Sequence, residues 1–286
     1  MSAITRPGLA PTQGAPAPAP MTPAPTTVAG RVTLARVVRA EWTKLRALRS
    51  TRWCTLVAVV LIVGVGALVA GSGAVYHVSP GNSAAAGISG ALLGVLIAQL
   101  VLGVVAVLAF SGEYGTGMIR ATLAAVPARL PVLWAKLIVL AGLVLPVSMV
   151  CAFVDFFAAT AIESSRGGSA ISLTDPGVLR TVAGSSLYLT VVVIIALALG
   201  ALLRKTAAGL SVFAAVFFVI PIVVGTLPHS ITGWTPYLPS NAGGALWGQS
   251  ATSAQALSPW TGFAVLCGYA VVLTALAAWQ LRRRDA

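Results

Sequence analysis

Residues 53–112 read WCTLVAVVLIVGVGALVAGSGAVYHVSPGNSAAAGISGALLGVLIAQLVLGVVAVLAFSG, sixty residues without one Asp, Glu, Lys or Arg. At about 20 residues per membrane crossing, such a run is two helices and a turn. The turn is 71–87, where Ser79, Pro80, Gly81 and Asn82 interrupt the apolar sequence. This places span one at 53–73 and span two at 88–110. The whole chain agrees: of its 286 residues 58% are hydrophobic and 8% charged, with a mean hydropathy of +0.94. A soluble globular domain carries about 25% charged residues. With a third of that figure the chain cannot cover itself with a water-compatible surface.

Working outward, a polar stretch at 111–136 leads to span three at 137–162. A Gly- and Ser-rich loop with Glu163, Arg166, Asp175 and Arg180 precedes span four at 181–203, and Arg204-Lys205 is the charged break before span five at 206–227. Residues 206–281 are again uncharged and end in span six at 260–281, followed by Arg282-Arg283-Arg284. The expected fold is an all-α polytopic membrane protein of six transmembrane helices with an amphipathic interfacial helix before the first. Residues 1–30 hold seven prolines and one charge, Arg6, and read as a disordered tail that cannot offset its ordering entropy by burial. No apolar core of signal-peptide type follows the N-terminus, so span one is expected to remain in the mature protein. Cys54, Cys151 and Cys267 lie in separate apolar runs and form no disulfide or metal framework.

Net charge is +12, with 18 Lys plus Arg against 6 Asp plus Glu. In a soluble protein this would suggest nucleic acid; here it is a topology signal. Six spans put both termini on one side. A cytoplasmic N-terminus leaves all basic residues but Arg166 and Arg180 inside, as the positive-inside rule requires. Trp53, Tyr76, Trp134, Trp260 and Trp279 fall near span ends, where aromatic rings favour the interface.

Three segments carry candidate function. Residues 31–52 form an amphipathic pattern: Leu34, Val38, Trp42, Leu45 and Leu48 share one face and Arg36, Arg39, Lys44 and Arg46 lie off it. Glu41 is the exception within the apolar stripe, either as an i,i+3 partner of Lys44 or as a contact to a partner protein. In 111–136, Met118, Ile119, Leu123 and Val126 recur at helical spacing, with Thr116 placed to cap and Pro127 to terminate. That short helix suits either the membrane surface or a partner's groove. Residues 228–259 have no charge and hold Trp234, Tyr237 and Trp247; they dip into the interface or pack on the bundle. Within the spans, Asp155 is a functional candidate by default, although at about 10 Å from the end of span three it can also reach the interface. Pro146 and Pro221 are expected to kink their spans, and Gly90-x-x-x-Gly94 permits close helix contact.

Glu41-Trp-Thr-Lys44-Leu45, and Glu113, Gly117 and Arg120 in EYGTGMIR followed by Pro127, Arg129 and Lys136, resemble the E-x-x-K-L run and the E-x-x-x-G-x-x-R…P-x-R…K pattern of type-2 ABC exporter permeases. The resemblance covers about 32–284 and leaves out the Pro-Ala tail. It implies a plasma-membrane permease with both termini cytoplasmic, acting as a homodimer or beside a second permease. The interfacial helix and the loop after span two would meet a separate ATPase subunit. Glu41, Lys44, Glu113, Gly117 and Arg120 then become coupling candidates, and Trp234, Tyr237 and Trp247 an outer gate on short external helices. ATP would be bound by the partner and no cofactor by this chain. Consistently, Lys44, Lys136 and Lys205 follow Thr43, Ala135 and Arg204, so no P-loop G-K-[ST] exists.

Two readings from other classes stand beside this one. A secondary transporter or membrane anchor without an ATPase would rely on Asp155. A rhomboid-like intramembrane serine protease would use Gly87-Ile88-Ser89-Gly90, but it needs a histidine base on a neighbouring span, whereas His77 and His229 fall in outer loops. No charge cluster in the spans selects an ion, so composition points to an amphipathic or hydrophobic cargo.

Overall fold

The computed structural model describes residues 33–72, 84–125, 129–166, 171–227, 233–249 and 257–283. The turn at 73–83, the Pro-Ala tail, and both His77 and His229 lie outside the described residues. The elements in chain order are α1 (Leu34–Ala47), α2 (Arg49–Gly71), α3 (Ala84–Ala91), α4 (Gly94–Gly115), α5 (Met118–Ala125), α6 (Arg129–Ser165), α7 (Val178–Leu203), α8 (Thr206–Ala214), α9 (Ile220–Gly225), α10 (Pro239–Gly244) and α11 (Pro259–Arg283). No strand occurs among the described residues. Six helices are long and apolar enough to cross a membrane: α2, α4, α6, α7, the run Thr206–Gly225, and α11.

Lipid tails are as apolar as leucine, so these helices associate through close packing rather than by escape from solvent. α2 shows the consequence. Its buried residues Ala58, Ile62, Gly66 and Ala70 repeat every four positions on one face, while Val57, Val60 and Leu68 remain outside. α7 is the hub, with buried residues on every side from Thr181 to Ala201. Small residues set the approach distances. A methyl at Gly94 would stand 2.5 Å from the Ile62 carbonyl oxygen of α2, and one at Gly200 would stand 2.6 Å from the Val107 carbonyl oxygen of α4. Either would push a backbone away.

Three features depart from the sequence reading, and a fourth falls where Pro221 is expected to distort its span. Span two is two helices: the ladder between α3 and α4 tightens to three-residue bonds, Leu93 N–H to Gly90 O and Val95 N–H to Leu92 O. The Gly90 and Gly94 pair therefore straddles a break, and it is Gly94 that packs on α2. α6 is 37 residues long and runs through Pro146 without interruption, beginning eight residues before the expected span three and ending at Ser165. Thr116 does not cap α5; it closes α4, its Oγ1 donating to Gly112 O at 2.9 Å. Ahead of Pro221, Ala215–Val219 form a π turn. That widening answers a proline that offers no N–H and whose ring crowds the carbonyl four residues back.

The bundle has two unlike ends. At one end the start of α6 meets the end of α11, Arg129 Nη1 donating to Leu281 O at 3.2 Å, and the end of α4 meets the start of α8 through Ser111 Oγ and Thr206 Oγ1 at 3.2 Å. Among the described residues every Lys and Arg lies at this basic end except Arg166 and Arg180. Arg166 belongs to the opposite end, where its guanidinium donates to the Ala70 and Gly71 carbonyls and closes α2 against α6.

Candidate functional site

At the basic end α1, α4 and α6 converge, and each brings charge to the junction. Glu41 and Lys44 sit on α1, Glu113 in the last turn of α4, and Lys136 two turns into α6. Lys136 Nζ donates to Glu41 Oε2 at 2.8 Å and to Glu113 Oε1 at 2.7 Å. Lys44 Nζ donates to Glu41 Oε1 at 2.7 Å and approaches Glu113 Oε1 at 3.3 Å. The four side chains form a closed ring of alternating charge, electrically neutral as a whole.

Glu41 and Lys136 are each 4% exposed, and Glu113 is buried beside them. Buried ions survive only when paired and hydrogen-bonded. The ring supplies the pairing, and the Phe110 ring lies 6.0 Å from the Lys136 ammonium on its apolar side. Burial alone would push the Glu41 carboxyl up; the ammonium groups of Lys136 and Lys44 more than offset that and hold it below the usual carboxylate range. Burial would likewise push the Lys44 amine down, and Glu41 and Glu113 hold it above its ordinary value. One atom is left over: Glu113 Oε2 is buried with no hydrogen-bond partner. Beside the ring opens a cavity of about 430 Å³, walled by Leu45, Leu48, Leu108, Met118 and Leu140.

Of the coupling candidates the structure thus joins Glu41, Lys44 and Glu113. Of the two readings of Glu41, the pair with Lys44 is present, and the carboxylate is shared in addition with Lys136 of α6. Gly117 stands at the exposed corner between α4 and α5 with φ +72, the left-handed conformation that favours glycine. Arg120 is placed on α5 by its backbone. Lys136 is the member that sequence reasoning left out of the site. Its signal is a single lysine in the apolar run VLWAKLIVL, which charge alone assigns to the polar stretch before span three and the structure assigns to the start of α6.

The other candidates lie far from this ring. Asp155 is 1% exposed and ten residues from the end of α6, roughly 15 Å at 1.5 Å per residue. Its carboxyl is turned inward onto Gly66 of α2. In the segment at the opposite end, Trp247 is buried with its ring 5.8 Å from that of Tyr188 on α7, whereas Trp234 and Tyr237 are exposed. Gln249 Nε2 donates to Ser89 O at 3.1 Å, fastening the segment to α3. This is the packed arrangement, built from α10 between two short 3-10 turns, Thr235–Tyr237 and Ala245–Trp247. Ser89 Oγ donates to Ala86 O at 2.8 Å. No group of His, Cys, Asp and Glu able to hold a metal ion occurs among the described residues.

No curated protein matches the chain. The sequence profile of the family described as ABC-2 family transporter protein matches residues 37–222, a stretch that begins inside α1, takes in the whole charged ring and Asp155, and ends in span five. A six-span helical bundle and a match over most of its length lead to one conclusion: the chain belongs to the ABC-2 family of membrane transporter proteins.

Proposed function

We propose that the chain is the membrane subunit of an ATP-driven exporter, working with a separate ATP-hydrolysing subunit. It sits in the plasma membrane with both termini in the cytoplasm and forms the translocation path with a second copy or a second permease. The charged ring carries this reading. It ties a surface helix, α1, to two membrane-crossing helices at the basic end of the bundle, next to the corner from which α5 projects. The positive-inside rule assigns that end to the cytoplasm, where an ATPase works.

The ring is a transmission. A partner pressing on α1 does not displace it alone, because Glu41 and Glu113 share the Lys136 ammonium. Moving α1 moves the start of span three and the end of span two together. Glu41 and Glu113 act by joining helices, while contact with the partner falls to exposed positions such as Thr116, Gly117 and Met118. The cargo class this supports is amphipathic or hydrophobic.

The test uses the full chain purified in mild detergent from its native membrane. An ATPase subunit is expected in stoichiometric amount. Its reproducible absence, together with transport that survives ATP depletion, would overturn the proposal. In the recovered complex Glu113→Ala is expected to leave membrane insertion intact and to lower transport per ATP hydrolysed by tenfold or more. Unchanged coupling would remove the ring from the mechanism.

A further inference from the structure

Asp155 is an ionisable side chain for which the transmission has no use, and its surroundings are specific. Both carboxylate oxygens are buried without a hydrogen-bond partner. The carboxyl faces Gly66 of α2, where an added methyl would stand 2.6 Å from Asp155 Oδ1 and 2.7 Å from the carbonyl oxygen of Ala91. The carboxyl and that carbonyl therefore border the same small gap, kept open by the missing side chain of Gly66. Ala91 is the last residue of α3, and the hydrogen-bond ladder passes it over: Leu92, Leu93, Val95 and Leu96 donate to Ile88, Gly90, Leu92 and Leu93. A spare acceptor thus stands beside a carboxyl that lacks a donor. The surrounding wall is apolar, formed by Ala70, Ala91 and Ala159.

No cation answers the carboxyl among the described residues. On α2 the only charges, Arg49 and Arg52, lie at the opposite end of the helix, and α3 has none. Arg166 is occupied by the Ala70 and Gly71 carbonyls. On α7, Arg180 lies against Gly177, and Tyr188 donates to Gln99 Oε1 at 2.6 Å. On α6 itself the neighbour is Cys151, one turn away, and Lys136 with the other ring charges of α1 and α4 is at the basic end. An isolated carboxylate in such a place takes up a proton rather than remain charged.

We propose that Asp155 is a proton-binding site within the membrane, at which the neutral acid donates its O–H across the Gly66 gap to the Ala91 carbonyl. Hydronium supplies the proton and leaves as water; a water molecule takes the proton back when α2 and α6 part far enough to admit it. The hydrogen bond from span three to α3, across the face of span one, is then made with the proton bound and lost when it leaves, so opening of the bundle at this level is linked to proton release. Carbonyls freed where a membrane helix is broken serve this kind of binding. The inference concerns this chain alone and stands whether or not an ATPase is its partner.

Infrared difference spectroscopy of the full chain in lipid nanodiscs tests it without any transport assay. At neutral pH the wild type is expected to show the C=O stretch of a hydrogen-bonded carboxylic acid, and Asp155→Asn is expected to lose that band while keeping the wild-type thermal transition. Should Asp155→Asn fail to fold, Gly66→Ala provides the second arm: it retains Asp155 but wedges the gap, and is expected to move the acid band to the higher frequency of a free carboxyl. A wild-type spectrum with no acid band at neutral pH, or one that Asp155→Asn leaves unaltered, overturns the proposal. A band that Gly66→Ala does not move overturns the assignment of Ala91 as acceptor.

Discussion

Lys136 and Asp155 lie on the same helix, 19 residues apart and so about 28 Å along its axis, and they are buried in opposite ways. Lys136 meets two carboxylates, and the ring it completes contains two positive and two negative side chains. Asp155 meets a glycine, a carbonyl and alanines. The difference teaches what each burial can do. A neutral ring of ions holds three helices in fixed register and resists change, because separating any member strands the others. A lone carboxyl has no counter-ion to strand, and its charge can be cancelled and restored by one proton.

The largest effect should come from removing the shared ammonium. Lys136→Ala leaves Glu41 and Glu113 facing each other with Lys44 alone between them, and about 3–5 kcal/mol of stability is expected to be lost, the usual cost of stranding a buried ion. Thermal unfolding in detergent or nanodiscs measures it. A loss under 1 kcal/mol would mean that the ring is hydrated and behaves as surface charge.

Smaller effects are expected around Asp155. Gly66→Ala places a methyl against both Asp155 and the Ala91 backbone, an overpacking worth about 1–3 kcal/mol. The cost should shrink in the Gly66→Ala, Asp155→Ala double variant, where the methyl has room; simple additivity would place the clash with Ala91 alone. Asp155→Asn keeps the shape and takes away the ionisable group. Its effect on stability at neutral pH should be about 1 kcal/mol or less, set against several for Lys136→Ala. Equal losses from the two substitutions would erase the distinction between a paired and an unpaired site.

The spans were legible because charge is absent from them over long runs, and a membrane helix needs little else to be recognised. What hydropathy could not show is where a helix bends without changing polarity. Leu92 and Leu93 are as apolar as their neighbours, so the break between α3 and α4 left no mark, and with it went the spare Ala91 carbonyl. The ring was half visible. Glu41 stood out within an apolar stripe, but its main partner is 95 residues away and Glu113 is 23 from Lys136, separations over which no helical periodicity operates. Lys136 itself was hidden by a sound rule applied at the wrong place: a charge ends a membrane span, unless other charges are buried with it. Trp234, Tyr237 and Trp247 were indistinguishable by composition. Only Trp247 enters the bundle, because Gly243 and Gly262 let its segment lie flat on α7 and α11.

The gentlest probe of the comparison is pH, because it acts on the ring without altering the sequence. The Glu41 carboxyl is held below its ordinary value, near 4.5, in the folded protein. Its contribution to stability is therefore complete above that value and is lost as pH falls through the lower folded value. Lys44 works the other way: its amine is held above 10.5, so its contribution is complete below that value and is lost as pH rises through the folded value. Between those limits Glu41 and Lys44 should be insensitive to pH, and acid should release α1 from α6 as the Glu41 carboxyl takes up a proton. Lys44 is partly exposed, so solvent screens its share and the acid limb should be the clearer of the two. A spin label or fluorophore at Arg39, an exposed position on α1, should report that release at acid pH. Glu41→Gln should show α1 already loosened at neutral pH and little further change on acidification. If α1 in Glu41→Gln remains as tightly held as in the wild type and detaches at the same acid pH, the ring is held by Glu113 and Lys136 alone, and α1 is not part of the transmission.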